Sequence, residues 1–352
     1  MIDYLIVGLG LSGLAVTSQL EDRKLSYKVY ENRSQKSSIV AGGIFNPVIL
    51  KRFTLAWKAD EQLQTAVPFY QQFENRYNVK IVHFWDIFRR FHSAEEQNNW
   101  FEAADKPRLG KFLDTRLIKN INSNISADFS FGRVSGTGNI DTEILIKEYR
   151  KELEEKSLLK YERFEYDKLK VEKDYVSYKD EKAKNVIFCD GFGIKNNPFF
   201  NYLPLHGNKG EYITIFSEEL KLDKAVKSSV FIMPMGNDLY KIGATYDNKD
   251  KSSSPTKDAR QKLINEIEKV LTCKYEVIDQ VAGIRPSTAD RKPLVGRHPK
   301  MANIYCCNGF GSRGVLIAPS AATELIDMIE DGKELSPEID LKRFTRKHFK
   351  TN

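Results

Sequence analysis

Residues 2–13 read Ile-Asp-Tyr-Leu-Ile-Val-Gly-Leu-Gly-Leu-Ser-Gly. A short apolar run of strand type therefore ends in three glycines spaced G-x-G-x-x-G, and a helix-like stretch follows over 11–22. Each glycine answers a physical need: Gly8 allows a tight turn, Gly10 lets a pyrophosphate approach the backbone, and Gly13 lets helix and strand pack closely. The pyrophosphate would lie on free amides such as those of Leu11 and Ser12, at the positive end of the helix dipole. A second strand is expected at Tyr27 to Tyr30, with Glu31 at its end and Asn32 beside it. Glu31 follows Gly13 by 18 residues. An acid there can accept both hydroxyls of an adenosine ribose and would repel a 2′-phosphate, which argues against NADP. The motif alone leaves FAD and NAD open.

The other bounds are broad. A chain of 352 residues suggests one large or two smaller domains. The signs of charge are interleaved, so a net charge of +7 does not by itself imply nucleic acid. The four cysteines form no C-x-x-C pair, and neither His206 nor His298 has a second ligand at metal spacing. No metal site is expected. No apolar run reaches the ~18 residues of a membrane helix. Asp3 stands where an export signal would carry a base, so a cytoplasmic protein is expected.

Along the chain, helices are expected at 51–77 (broken or kinked at Pro68), from Asp141 as cap to about Lys156, at 257–271 and at 315–330. Strands are expected at 160–166, 168–172, 175–178, 185–189, 273–282 and 303–307. Two further glycine clusters matter. Ala41-Gly42-Gly43-Ile44 follows Glu31 closely, and adjacent glycines let backbone pass near a flat ring system. Gly309-Phe310-Gly311-Ser312-Arg313-Gly314 again lies between a strand and a helix. Two such elements suit a cofactor held at both ends. The second helix start, with Arg313, would stabilise negative charge on a reduced ring.

The stretch Ala282-Gly283-Ile284-Arg285-Pro286-Ser287-Thr288-Ala289-Asp290-Arg291-Lys292-Pro293-Leu294-Val295-Gly296-Arg297-His298-Pro299 resembles the FAD-dependent D-amino-acid oxidase and glycine oxidase-like family. Lys209-Gly210-Glu211, Pro234, Ile242-Gly243-Ala244-Thr245 and Ile317-Ala318-Pro319 are similar to the same family. The resemblance implies an α/β protein: a Rossmann-like FAD-binding domain, plus an α+β substrate domain with an antiparallel sheet. It implies FAD segments at 1–80, 140–205 and 281–352, and substrate segments at 81–139 and 206–280. Asn32, Phe164, Asp190, Gly191 and Val315 then join the cofactor set. Some relatives attach FAD through a Cys two residues before the position of Arg285; here Gly283 stands there, so non-covalent FAD is expected. Glu31→Ala is expected to weaken FAD binding and leave the fold intact.

The chemistry implied is oxidation of a C–N bond, with hydride passing from the α-carbon of an amino acid or secondary amine to flavin N5. Oxygen or another acceptor would then take the electrons. Arg285 would grip a carboxylate through two parallel hydrogen bonds; the alternative is a structural pair with Asp290. Phe231 stands where relatives often have Tyr, and Met235 where Arg is common, which leaves room for a bulkier or more apolar substrate. Tyr240 and Tyr246 are nearby polar candidates, and Arg52, Lys51 or Lys58 could place positive charge near the reduced flavin. Two other functions stay open. One is the amine-oxidising enzyme of tRNA wobble-uridine modification, whose basic face could only be the tail with Lys342, Arg343, Arg346, Lys347 and Lys350. The other is a non-catalytic flavin-binding protein.

Overall fold

The computed structural model describes residues 1–349. Lys350 and the side chain of Arg346 lie outside what is described. Strand Ile2–Val7 is buried along its last four residues, as a strand covered on both faces must be. It pairs in parallel with Tyr27–Glu31 on one side and Glu181–Phe188 on the other. Leu159–Tyr161 and Ile304–Asn308 extend the parallel set at either edge. Helices Leu11–Asp22, Thr142–Glu155, Ala59–Tyr77 and Gly314–Glu330 cover one face, in a core that includes Ile6, Leu14, Tyr70, Tyr149 and Ile317. The other face packs Leu5, Phe164, Val186 and Phe200. The expected cap holds: the Asp141 side chain accepts from the Ile144 amide at 3.0 Å.

A second sheet has seven strands in the order Glu276–Thr288, Leu205–Phe216, Leu239–Gly243, Phe231–Gly236, Ala225–Lys227, Ile87–Arg90 and Phe131–Val134. Its pairs are antiparallel except Ala225–Lys227 with Ile87–Arg90. Helix Lys257–Ile267 packs on one face through Leu263 and Ile267. The opposite face carries Met233 and, with Trp100 and Phe91, a smaller apolar cluster. Together the two sheets make the Rossmann-like and α+β parts of the expected α/β fold.

Several elements differ from the sequence reading. The helix expected at 51–77 begins only at Ala59, and Pro68 sits inside it. Residues 48–55 form a hairpin instead, pairing Val48 with Leu55 and Ile49 with Thr54. Val48, Leu50 and Phe53 bury there against the Trp100 cluster, and that burial overrides helical propensity. The strand expected at 273–282 runs from Glu276 to Thr288, because Leu205–Phe216 offers it a partner along its whole length. The strand expected at 160–166 shortens to Leu159–Tyr161. The helix expected at 257–271 stops at Ile267. A helix at Lys342–His348 was not foreseen.

Candidate cofactor and substrate site

A cavity of about 780 Å³ opens at the carboxyl ends of the parallel strands, where Val7, Glu31, Cys189, Asp190 and Asn308 line it. Open parallel sheets bind ligands at this edge. The far wall belongs to the seven-stranded sheet and includes Tyr212, Lys227, Phe231 and Arg285.

At the first end, Gly8, Gly10, Leu11 and Ser12 all line the cavity. Gly13 does not; a Cβ there would stand 2.1 Å from the Gly8 carbonyl oxygen, so its role is helix–strand packing. The helix has no acidic residue in its first turn and no side-chain cap on Gly10. The Leu11 amide donates to Ser38 Oγ at 3.1 Å. The Ser12 and Gly13 amides have no acceptor among the described residues. Orphan donors at a helix start suit a pyrophosphate. Glu31 is buried. Its carboxylate accepts from the Leu9 amide at 2.8 Å and the Arg33 amide at 3.1 Å, and pairs with Arg150 at 2.7 Å. A carboxylate offers about four acceptor positions, so one remains for a ribose hydroxyl. Asn32 and Phe164 line the same end, with Phe164 stacked on Tyr178 at 4.1 Å.

The glycine loops meet between the ends. Gly42, Gly43 and Ile44 line the cavity. A Cβ on Gly43 would fall 1.9 Å from the Ile140 carbonyl oxygen, so nothing larger than glycine fits. Gly311, Ser312, Arg313, Gly314 and Val315 line it from the other side. Gly309 does not line it. It has φ +79° and closes the turn against Thr288 and Leu294. Arg313 donates to the Trp57 carbonyl and to Gln62 Oε1, both at 3.3 Å. Burial pulls its pKa down to about 10, as expected of a cation held dry without a counter-charge. Asp190 and Gly191 also line the cavity. Burial raises the Asp190 carboxyl to about 6, against hydrogen bonds from Asn197, Tyr166 and Asn308. Free amides at a helix start, a buried carboxylate at a strand end, two glycine loops and a guanidinium with no carboxylate partner among the described residues together fit FAD.

At the second end, Arg285 is held by Asn208 Oδ1 at 2.7 Å and the Thr245 carbonyl at 3.2 Å, both through Nη1. No carboxylate pairs with it among the described residues. Asp290, its proposed structural partner, instead binds Arg343 at 2.8 Å. Gly210 explains the flat lie of the guanidinium, since a Cβ there would meet Arg285 Nη2 at 2.0 Å. Tyr246 lines the cavity mouth with its ring 6.0 Å from that guanidinium.

Four expected residues, Tyr240, Arg52, Lys51 and Lys58, lie elsewhere. Tyr240 is buried in the core on the opposite face of the sheet, where its hydroxyl accepts from the Leu222 amide at 3.2 Å. Neighbouring residues of a strand point to opposite faces, and it is Gly243 of that strand that borders the cavity. Arg52 is exposed on the hairpin turn and does not line the cavity, nor does Lys51. Lys58 turns to Ser336. Met235 is exposed, outside the cavity. The cation at the glycine loop is Lys241, which donates to the Ala41 carbonyl at 3.1 Å. Lys227, Lys241, Ser38 and Asn208 escaped the sequence reading. Only strand register could have found the first two and Asn208, while Ser38 was legible as a hydroxyl just before the glycine pair.

Among the described residues no cluster of His, Cys, Asp or Glu could hold a metal, and no helix is long and apolar enough to cross a membrane. The family described as FAD dependent oxidoreductase matches residues 3–328. Glycine oxidase of Bacillus subtilis (strain 168) is 27% identical over 157 residues, 43% of this chain and 42% of that protein. The tRNA 5-methylaminomethyl-2-thiouridine biosynthesis bifunctional protein MnmC of Legionella pneumophila (strain Lens) is 24% identical over 396 residues, 97% of this chain and 57% of that protein. The chain thus spans about half the length of the curated relatives it matches. The crystal structure of glycine oxidase from Geobacillus kaustophilus superposes with a TM-score of 0.82 at 18% identity, covering 97% of both chains. At that identity the likeness speaks for the fold alone.

Proposed function

The chain belongs to the DAO family of FAD-dependent oxidoreductases, and from that premise we propose that it oxidises the C–N bond of an amino acid or secondary amine. The observation that carries the reading is Arg285, an unpaired guanidinium fixed at one edge and open to the cavity. Bound FAD supplies the hydride acceptor. The protein's part is to place the substrate. Arg285 would grip the carboxylate in one plane, which sets both distance and direction. Phe231 and Tyr212 would bound the remainder of the molecule and keep water out. The Ser12 amide at the helix start would take the pyrophosphate, Glu31 the ribose, and Arg313 the charge on the reduced ring. The domain division at 1–80, 140–205 and 281–352 against 81–139 and 206–280 is part of the proposal, as is a cytoplasmic setting.

The test is anaerobic mixing of the FAD-loaded protein with panels of D- and L-amino acids and N-alkyl glycines. Bleaching of the flavin absorbance by at least one of them is expected, and no bleaching by any would favour a non-catalytic flavin protein. The flavin itself should be non-covalent, because no Cys occupies position 283 and burial raises the thiol of cavity-lining Cys189. Acid precipitation is expected to release all of it as FAD; flavin left in the pellet, or FMN in the supernatant, refutes this. The match to the tRNA-modifying protein over nearly the whole chain favours a second reading, with a modified wobble uridine as the amine. Its basic tail is diminished, since Arg343 is engaged by Asp290 and by the Lys292 and Pro293 carbonyls. Bleaching by tRNA whose wobble uridine carries a secondary amine, and by no free amino acid, would decide for that reading.

A further inference from the structure

A further cation lines the same cavity, and the reaction just described does not use it. Lys227 ends strand Ala225–Lys227 and stands in one cross-strand row with Phe231, Gly243 and Tyr212. Residues in such a row project to one face of the sheet, and all four line the cavity. The Lys227 Nζ lies 5.0 Å from the centre of the Phe231 ring. It donates to one acceptor, the Ser229 carbonyl, at 2.6 Å, although an ammonium carries three donors. No carboxylate pairs with it among the described residues. The neighbouring charge is Arg89, whose own partner is Glu96 and which also donates to the Lys227 and Ser228 carbonyls. Burial first, and Arg89 second, pull the ammonium down to about 8, with Glu266 only partly opposing.

The cavity therefore holds two cations on its substrate wall, Arg285 and Lys227, with no protein anion for either. A substrate with a single carboxylate would neutralise one and leave the other desolvated, which is costly. The guanidinium lies over Gly210 on strand Leu205–Phe216. From that strand to the strand of Lys227 is three strand spacings, about 14 Å at roughly 4.8 Å each. A compact dicarboxylate would not bridge that gap.

Resting on the carboxylate role of Arg285 above, we propose that the substrate is an amino acid or secondary amine with a second carboxylate several carbons from the first, which Lys227 receives. The α-carboxylate sits on Arg285, the amine and its carbon lie between, and the distal carboxylate crosses the faces of Tyr212 and Phe231 to reach Nζ.

The probe is a series of α,ω-dicarboxylates from succinate to sebacate, each beside the monocarboxylate of equal length. They are titrated into the FAD-loaded protein and followed by the perturbation of flavin absorbance. At one of the longer lengths the dicarboxylate is expected to bind about tenfold tighter or better, a gain of about 1.4 kcal/mol. That ratio should fall to about one in Lys227→Met and recover in part in Lys227→Arg. A ratio near one at every length in the wild-type protein overturns the proposal, as does a preference that survives Lys227→Met. Monocarboxylates that bind and depend on Arg285 alone would leave the carboxylate reading standing while this proposal falls. Binding of neither, or binding indifferent to Arg285→Met, overturns both.

Discussion

Arg285→Met is expected to lower kcat/KM for the substrate by two to four orders of magnitude, with FAD content unchanged. A buried carboxylate that loses its partner costs about 3–5 kcal/mol, and each ~1.4 kcal/mol is tenfold in rate. Arg285→Lys keeps the charge but loses the planar grip. The structure sharpens this: Asn208 and Thr245 fix the arginine through a single nitrogen, Nη1, and the shorter ammonium would have to choose between them and the substrate. Hydride transfer tolerates little misplacement of the α-carbon, so kcat should fall along with affinity. Gly210→Ala should resemble Arg285→Met, because the added methyl occupies the seat of the guanidinium. Anaerobic reduction rates of the wild type and three variants are the measurement. Equal rates would make Arg285 structural; loss of FAD instead would place it at the cofactor.

Glu31→Ala is expected to lose FAD and to destabilise the apoprotein, which revises the expectation that the fold stays intact. Glu31 and Arg150 form a buried ion pair, and Arg150 Nε already has no hydrogen-bond partner. Removing the acid leaves a buried guanidinium uncompensated, at about 3–5 kcal/mol. It also frees the Leu9 amide inside the glycine turn. The ribose would lose a charge-assisted hydrogen bond worth roughly 1.5–3 kcal/mol. Glu31→Gln keeps an acceptor for Leu9 but not the charge, so it should fall between. Thermal unfolding of the FAD-free proteins separates fold from cofactor affinity, and flavin titration reads the latter. An apo Tm for Glu31→Ala equal to wild type would show that the pair carries no stability.

What the sequence disclosed was local. Strand Ile2–Val7, the helix at Leu11 and the Asp141 cap depend on neighbours within a few residues, so spacing and side-chain type reveal them. The glycine positions were legible because a missing Cβ is itself a contact made visible: Gly43 against Ile140 and Gly13 against Gly8. The cavity wall formed by the second sheet was not, because it depends on register between distant segments. Tyr240 and Lys241 are adjacent in sequence, yet one is core and the other reaches the Ala41 carbonyl. No pattern within residues 239–243 says which face is which until Leu205–Phe216 is paired beside them. The hairpin at 48–55 was hidden for the same reason, since its apolar residues answer to Trp100 and Phe91, some 50 residues on.

The ladder between Leu205–Phe216 and Glu276–Thr288 is continuous from Leu205–Thr288 to Phe216–Glu276, with one irregularity between Thr214 and Ile215. That position divides the pair into a half that forgives and a half that does not. Beyond Thr214, a gained or lost residue can be absorbed where the ladder is already broken. Before it, the pairs Asn208–Arg285 and Gly210–Gly283 run without interruption. A single inserted or deleted residue there would rotate every following side chain to the other face, turning Arg285 out of the cavity and into the sheet's apolar side. Length variation in this chain's descendants should therefore collect in the 216–276 excursion, leaving 205–213 and 280–288 at fixed length.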